Sequence, residues 1–140
     1  MDSTLWAKAH GALTHFPIAL VLSSAALDLA GFALADRPAA RELHAAGYWT
    51  MIVGAAGSIG AVFSGLVMTK GSVLGHDALR MHHLFVWPAF GLLIGVATWR
   101  AVVGRRITRS LLAGYLIVML MAAALMTAAG YWGGEMMIAR

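Results

Sequence analysis

The segment from Phe16 to Ala35 reads FPIALVLSSAALDLAGFALA, and one aspartate is its single charged residue. About 20 predominantly apolar residues are enough for an α-helix to cross the hydrocarbon core of a bilayer. Three more segments of similar character follow it, at Ala45–Thr69, Leu84–Val103 and Ile107–Tyr131. The chain is 61% hydrophobic and 11% charged, whereas soluble domains carry about 25% charged residues. The sequence therefore predicts an all-α membrane protein with four spanning helices.

Short connections join the four segments, at Asp36–His44, Lys70–His82 and Gly104–Arg106. Helices joined by short loops pack as antiparallel neighbours, which gives an up-down-up-down four-helix bundle. In that arrangement the first and third helices lie diagonally across the core. The helices and loops use most of residues 1–140, so we expect a single four-helix transmembrane domain.

The basic residues divide unequally between the two sides of this bundle. Six lie in or beside the loops that follow the first and third segments, namely Arg37, Arg41, Arg100, Arg105, Arg106 and Arg109. Four lie on the opposite side, namely Lys8, Lys70, Arg80 and Arg140. Because an excess of Lys and Arg marks cytoplasmic loops, we expect both termini to face outward, which for a bacterial inner membrane is the periplasm. This distribution also accounts for the net charge of +4 without a nucleic-acid-binding surface.

Histidines are concentrated at the predicted periplasmic ends of the helices. His44 lies on the opposite side, and the other five of the six lie at these ends, namely His10, His15, His76, His82 and His83. Ionisable side chains are costly near the hydrocarbon and mark functional sites in membrane proteins. Neutral imidazole is also the commonest metal ligand in proteins. The histidine-rich end is therefore the candidate site.

Helical periodicity selects His15 and His83 as the histidines that face the bundle interior. His15 shares a helix face with the small residues Ala19 and Ser23, because residues spaced by four lie on one face. His83 continues at helical spacing into a mixed stripe of Trp87, Phe90, Gly91, Ile94 and Thr98. The adjacent His82 points about 100° away and continues into an aliphatic stripe of Val86, Ala89, Leu93 and Val96. We interpret that stripe as lipid-facing, so at most one of the two adjacent histidines faces inward.

Two imidazoles opposed across a four-helix core form a site for haem b. With His15 and His83 as axial ligands the iron has no open position, which suits electron transfer. The small faces at Ala19 and Gly91 would flank the macrocycle. The other candidate cofactor-binding residues are Arg80 and Trp87, which would meet the haem propionates, together with His10 and His82. The leading hypothesis is a membrane-embedded b-type haem protein that passes electrons between a periplasmic donor and quinone or a partner complex, as a homodimer or in a larger redox complex.

Two other interpretations of the histidines stay open. The first is a Zn or Cu(II) site with N and O ligands, drawn from His10, His15, His76, Asp77, His82 and Glu135. The protein would then be a non-catalytic membrane subunit whose histidines bind a metal ion or stabilise a larger assembly. The second is that interfacial histidines simply anchor helix ends. The chain has no cysteine, which excludes disulfides, thiolate ligands and a c-type haem attachment.

Asp28 is the charged residue within the first segment, about 20 Å from His15 along the helix axis at 1.5 Å per residue. It either relays protons towards a quinone, or reaches the interface, or caps a neighbouring helix. The sequence has no Ser/His/Asp arrangement, phosphate-binding Gly-rich loop or carboxylate pair, so hydrolase and nucleotide chemistry are not expected.

The N-terminal sequence His10-Gly-Ala-Leu-Thr-His15-Phe-Pro-Ile-Ala-Leu resembles the His-Pro-x-x-x-His-Phe-Pro-Ile-Ala opening of a bacterial group of small four-helix membrane proteins (domain of unknown function 2231 type). The Gly-rich second helix, the histidine that begins the third, and the Gly130-Tyr-Trp-Gly-Gly134 ending are also similar to that group. Gly11 replaces a proline, and Glu135 stands where an aliphatic residue or histidine is more usual. The resemblance implies the four-helix fold and a shared site at His10, His15 and a helix-three histidine, without an activity.

Overall fold

The computed structural model describes residues 3–35, 37–104 and 108–138, which contain helices and turns but no strand. Its four helices are α1 (Ser3–Ala33), α2 (Ala39–Met68), α3 (Asp77–Val103) and α4 (Arg109–Ile138). All four are long and apolar enough to cross a membrane. The predicted all-α fold with four spanning helices is therefore confirmed.

The helices extend beyond the predicted spans, chiefly at the histidine-rich end, where α1 and α3 begin and α2 and α4 end. His10 lies well inside α1 and His82 inside α3, rather than in flanking loops. At the opposite, Arg-rich end, α3 stops at Gly104, whose φ of 70° ends the helix while its N–H donates to the Arg100 carbonyl at 2.8 Å. That positive φ favours glycine.

The bundle consists of two hairpins. α1 packs along α2 and α3 packs along α4, whereas α1–α4 and α2–α3 contacts are much sparser. Within the described ranges, the α1 backbone does not closely approach that of α3, so these helices are the diagonal partners that the loop lengths predict. The central layer takes one fully buried aliphatic residue from each helix, namely Val21, Met51, Leu93 and Met119.

Buried positions recur in the two hairpins with the same spacing; some of the paired residues are identical and others differ. Asp28 and Arg100 are 72 positions apart, and the same offset relates the buried α1 positions Pro17, Val21 and Ala25 to Ala89, Leu93 and Ala97 of α3. A constant offset likewise relates Gly47, Met51, Ala55 and Ala61 of α2 to Tyr115, Met119, Ala123 and Ala129 of α4. Because equivalent helices are diagonal, an approximate two-fold axis runs along the bundle.

Two predicted helix faces are reversed in the structure. The aliphatic stripe of α3 is buried, with Ala89 3% and Leu93 1% exposed, whereas Gly91 and Thr98 of the mixed stripe are exposed. On α1 the small residues Ala19, Ser23 and Ala26 are exposed. The physical reason is that lipid tails are as apolar as the core, so aliphatic character does not separate the two sides. The outer surface carries Leu22, Ile59, Phe63, Ile117 and Leu120, which suits contact with lipid.

Candidate functional site: a histidine cavity and a buried ion cluster

A cavity of about 460 Å³ lies between the two hairpins at the histidine-rich end. All four helices contribute to its largely apolar wall, which also contains His10, His15, His82 and His83. Sites for small molecules and cofactors typically enclose about 300–1,000 Å³ with a few polar groups among apolar ones. We call this space the histidine cavity.

His10 is anchored to the neighbouring helix of its own hairpin. Its Nδ1 lies 3.0 Å from the Ala61 carbonyl oxygen and 2.9 Å from Ser64 Oγ. The Ser64 hydroxyl itself donates to the Ala61 oxygen, so both neighbours accept and Nδ1 carries the proton. A Cβ at Gly65 would lie 2.9 Å from His10 Cε1, so a glycine at this position leaves the space that the imidazole ring occupies.

His82 repeats this arrangement in the second hairpin. Its Nδ1 donates to the Ala129 carbonyl oxygen of α4 at 2.7 Å, and a Cβ at Gly133 would lie 3.5 Å from that nitrogen. His10 and His82 are equivalent under the two-fold relation, as are Ala61 and Ala129. A carbonyl can only accept, so each ring donates from Nδ1 and leaves Nε2 with its lone pair. His82 is half-buried, which corrects the prediction that it faces lipid.

His83 is 6% exposed, and its Nδ1 is buried with no hydrogen-bond partner among the described residues. Its ring centroid lies 5.7 Å from that of His82 and 6.1 Å from that of Trp87. Both adjacent histidines therefore line the cavity, and the expectation that at most one faces inward was wrong. Although the two side chains leave the helix in different directions, His82 packs against α4 and both line the cavity, so neither faces lipid.

His15 lies at the cavity, but on the exposed side of α1 rather than in the bundle interior that periodicity predicts. Its side chain is exposed, and its Nδ1 bonds the Gly11 carbonyl of its own helix. Ala19 and Gly91, the predicted flanks of a macrocycle, are exposed and lie outside the cavity wall. The small-residue stripe of α1 turns away from the bundle, which removes the basis for pairing His15 with His83.

Only one of the two residues proposed to meet haem propionates lines the cavity. Trp87 lines the cavity, but its Nε1 donates to the Val73 carbonyl at 2.7 Å in the connecting loop. Arg80 is exposed, outside the cavity wall.

The alternative metal-binding set is not assembled. Across the described residues, no group of three or more His, Asp and Glu side chains could hold a metal ion. His76 and Asp77 are exposed at the start of α3, while His10 and His82 are tied to α2 and α4 respectively. The combination of His10, His15, His76, Asp77, His82 and Glu135 therefore does not form a preformed site.

A second polar site, which we call the ion cluster, lies in the Arg-rich half and uses residues from all four helices. The Asp28 side chain is 0% exposed, and its Oδ1 accepts from His44 Nδ1 at 2.8 Å and from Arg100 Nη2 at 3.1 Å. The Arg100 guanidinium, also 0% exposed, stacks 4.5 Å from the centroid of Tyr115. Ser24 Oγ donates to the Gly47 carbonyl at 2.7 Å and lies 3.3 Å from the Tyr115 hydroxyl.

The sequence pointed to Asp28 but not to its partners. The sequence places Arg100 among the six basic residues in or beside the Arg-rich loops. Arg100 is instead buried in the core, so the number of basic residues in or beside those loops falls by one. A usable signal was the equal separation of His10 from Asp28 and of His82 from Arg100, which places the two opposite charges at one depth. His44, assigned only to the opposite side, is the third member.

Comparisons with known proteins give one match. A family model described as "Predicted membrane protein (DUF2231)" matches residues 7–139. Neither a curated protein nor a solved structure matches the chain. The family agrees with the resemblance seen in the sequence and with four membrane-spanning helices.

Proposed function

This chain belongs to the DUF2231 family of predicted membrane proteins, and we propose that it is a membrane-embedded b-type haem protein that passes single electrons. His10 and His82 would hold the haem iron, in place of the His15–His83 pair expected from periodicity. The family description carries no activity, so the proposal rests on the histidine cavity.

The observation that carries the proposal is the matched anchoring of His10 and His82. Each ring donates Nδ1–H to a backbone carbonyl on the helix beside it, at 3.0 Å to Ala61 and 2.7 Å to Ala129. Histidines that ligate metals are characteristically held in this way, because the hydrogen bond fixes the tautomer and the ring orientation. In the described part of the chain neither Nε2 takes part in a hydrogen bond.

The geometry favours haem over a bare metal ion. A Zn or Cu(II) site draws on three or four protein ligands, and no such group is assembled among the described residues. A bis-histidyl haem needs two ligands from facing helices and an apolar slot between them. His10 and His82 lie on diagonal helices and line one cavity of about 460 Å³.

When bound, haem supplies reversible one-electron chemistry at iron, and the protein supplies the rest. Ala61 and Ala129 orient the two imidazoles, and the aliphatic wall, including Leu93, keeps water away from the macrocycle. Held by two histidines, the haem would serve electron transfer rather than oxygen chemistry. In the orientation that the arginine count predicts, the donor is a periplasmic protein and the acceptor is quinone or a partner complex, reached as a homodimer or larger redox assembly.

The test is the visible spectrum of the protein purified from cells supplied with haem precursor. We expect a reduced-minus-oxidised difference spectrum with the sharp bands of low-spin bis-histidyl haem. His10→Ala and His82→Ala should each remove most of the haem, while His15→Ala and His44→Ala keep it. Haem-free protein from supplied cells, or full haem content in both His10→Ala and His82→Ala, would refute the proposal. Metal analysis of the same samples tests the Zn or Cu alternative.

The proposed direction of electron flow has its own test, since the chain has no natural cysteine. Two single-cysteine variants are compared: Ser72→Cys, at a position in the α2–α3 connection, and Thr108→Cys, at a position in the α3–α4 connection. In whole cells an impermeant maleimide should label the first and not the second. The reverse pattern would place the histidine cavity on the cytoplasmic side and exclude a periplasmic donor.

A further inference from the structure

The ion cluster is a second site, separate from the proposed haem ligands. Ionisable side chains inside a membrane protein are costly and mark functional sites. Asp28 and Arg100 are fully buried and belong to different hairpins, and their ion pair joins the diagonal helices α1 and α3. With a neutral His44, one carboxylate and one guanidinium leave the cluster without net charge.

The surrounding backbone makes specific room for this cluster. A Cβ at Gly47 would lie 2.9 Å from Asp28 Cγ, and a Cβ at Gly31 would lie 2.7 Å from His44 Cε1. Asp28 Oδ2 and the Nε and Nη1 atoms of Arg100 are buried without partners among the described residues. Most buried polar groups in proteins are paired, so these free positions leave the cluster able to rearrange its hydrogen bonds.

His44 connects the buried pair to the surface. Its side chain is 19% exposed, against 0% for Asp28 and for Arg100, and it lies on α2 close to the Arg-rich end. His44 and Arg100 donate to the same oxygen, Asp28 Oδ1. Histidine is also the side chain that ordinarily changes charge between pH 5 and 8.

We propose that Asp28, His44 and Arg100 form a proton-binding site that is reached from the Arg-rich side of the membrane, and that its occupancy controls how tightly the two hairpins are held together there. The charged and titratable groups around His44 are Asp28 from α1, Arg100 from α3, Tyr115 from α4, and the exposed Arg41 and Glu42 on α2 itself. The nearest of these is the carboxylate that also holds Arg100.

The direction of the effect follows from the charges. A proton on His44 places two cations on one carboxylate oxygen, and Arg100 and the imidazolium then compete for it. The cluster acquires a net positive charge, which is unfavourable in an apolar interior and is relieved when water enters. Water reaches the ion cluster when the Arg-rich ends of the two hairpins separate. The separated state is therefore favoured when His44 carries a proton, and its population rises as the pH falls.

The experiment measures the distance between spin labels at the Arg-rich ends of the two hairpins. Residues 35 and 108 are exposed and lie one on each hairpin. The double variant Ala35→Cys with Thr108→Cys, in the full chain in lipid nanodiscs, therefore reports the separation of the two hairpins. Between pH 8 and pH 5 we expect the distance distribution to broaden and lengthen. His44→Gln in this background cannot take up the proton and should show the same narrow distribution at both pH values.

Two further variants make the outcome decisive. His76→Gln removes an exposed histidine at the opposite end and should keep the full response. Arg100→Gln removes the competing cation, so protonated His44 neutralises Asp28 and acidification should cause no further separation. A pH-independent distance in the parent double variant, or a full response in His44→Gln, would overturn the proposal. The distance measurement does not involve haem, so its result tests the proton-binding proposal independently of the proposed electron transfer.

Discussion

The two ends of the bundle differ in the residues at equivalent positions of the two hairpins, which are identical at one end and oppositely charged at the other. At the histidine-rich end the equivalent residues are His10 and His82, and a cavity of about 460 Å³ lies beside them. In the Arg-rich half they are Asp28 and Arg100, which meet directly at 3.1 Å. Opposite charges attract each other and close the core, whereas His10 and His82 each bond a carbonyl of their own hairpin and a cavity remains beside them.

This difference predicts that the Arg-rich half is the more sensitive to loss of one partner. Arg100→Gln leaves Asp28 buried without its cation, and breaking a buried ion pair on one side costs about 3–5 kcal/mol. We expect that loss in the free energy of unfolding, measured with SDS in mixed micelles. The double variant Asp28→Asn with Arg100→Gln should lose less than the sum of the single variants, because no charge is left unpaired. Arg37→Gln, at an exposed position, is the control. An equal loss in that control would contradict the assignment.

Glycines beside the ion cluster provide a second test of the same half. A Cβ at Gly47 would come within 2.9 Å of the Asp28 carboxylate, and overpacking a full site costs about 1–3 kcal/mol. Gly47→Ala should therefore destabilise the protein in the same unfolding assay. Gly60→Ala on the same helix meets no atom within 4 Å, and helix propensity should make it neutral or stabilising by up to about 1 kcal/mol. Equal effects of the two substitutions would show that Gly47 is not a contact position.

Glycines beside the histidine cavity should act on the cofactor instead. Gly65→Ala would press on the His10 ring, with its Cβ 2.9 Å from Cε1, whereas Gly133→Ala would make an ordinary 3.5 Å contact with His82. A displacement that costs about 1.4 kcal/mol weakens binding tenfold, so we expect haem affinity to fall about tenfold in Gly65→Ala and less in Gly133→Ala. Haem titration of the apo-protein measures both. A Cβ at Gly91 would meet no atom within 4 Å, so Gly91→Ala should bind haem as tightly as the parent protein does. Weaker binding in Gly91→Ala would contradict a haem site beside His10.

The smallest expected effect concerns the loop that borders the histidine cavity. Trp87→Phe removes the hydrogen bond from Nε1 to the Val73 carbonyl, and a hydrogen bond of this kind contributes about 0.5–1.5 kcal/mol. We expect a loss near the lower limit, because the contact is exposed and water can replace it. Trp49→Phe on the outer surface is the matched control and should leave the unfolding free energy unchanged.

Particular residues show where sequence reasoning succeeded. Four apolar segments and short loops predicted the helices, their order and the diagonal relation of α1 and α3. The sequence grouped histidines at one end of the bundle, and His10, His15, His82 and His83 all line one cavity there. The assignment of faces was wrong for His15 and His82, because the small-residue stripe of α1 is not interior and the aliphatic stripe of α3 is not lipid-facing.

Segment length, hydropathy and the position of breaks along the chain were determined by the sequence alone, because the thickness of a bilayer and the geometry of an α-helix translate them directly into spanning elements. The rotation of each helix about its axis was decided only by tertiary packing. In lipid the interior and the exterior are equally apolar, so rotation depends on which small and polar residues fit together. Gly65 under His10, Gly47 beside Asp28, and the meeting of Asp28 with Arg100 are contacts between helices, and no pattern within a single helix specifies them.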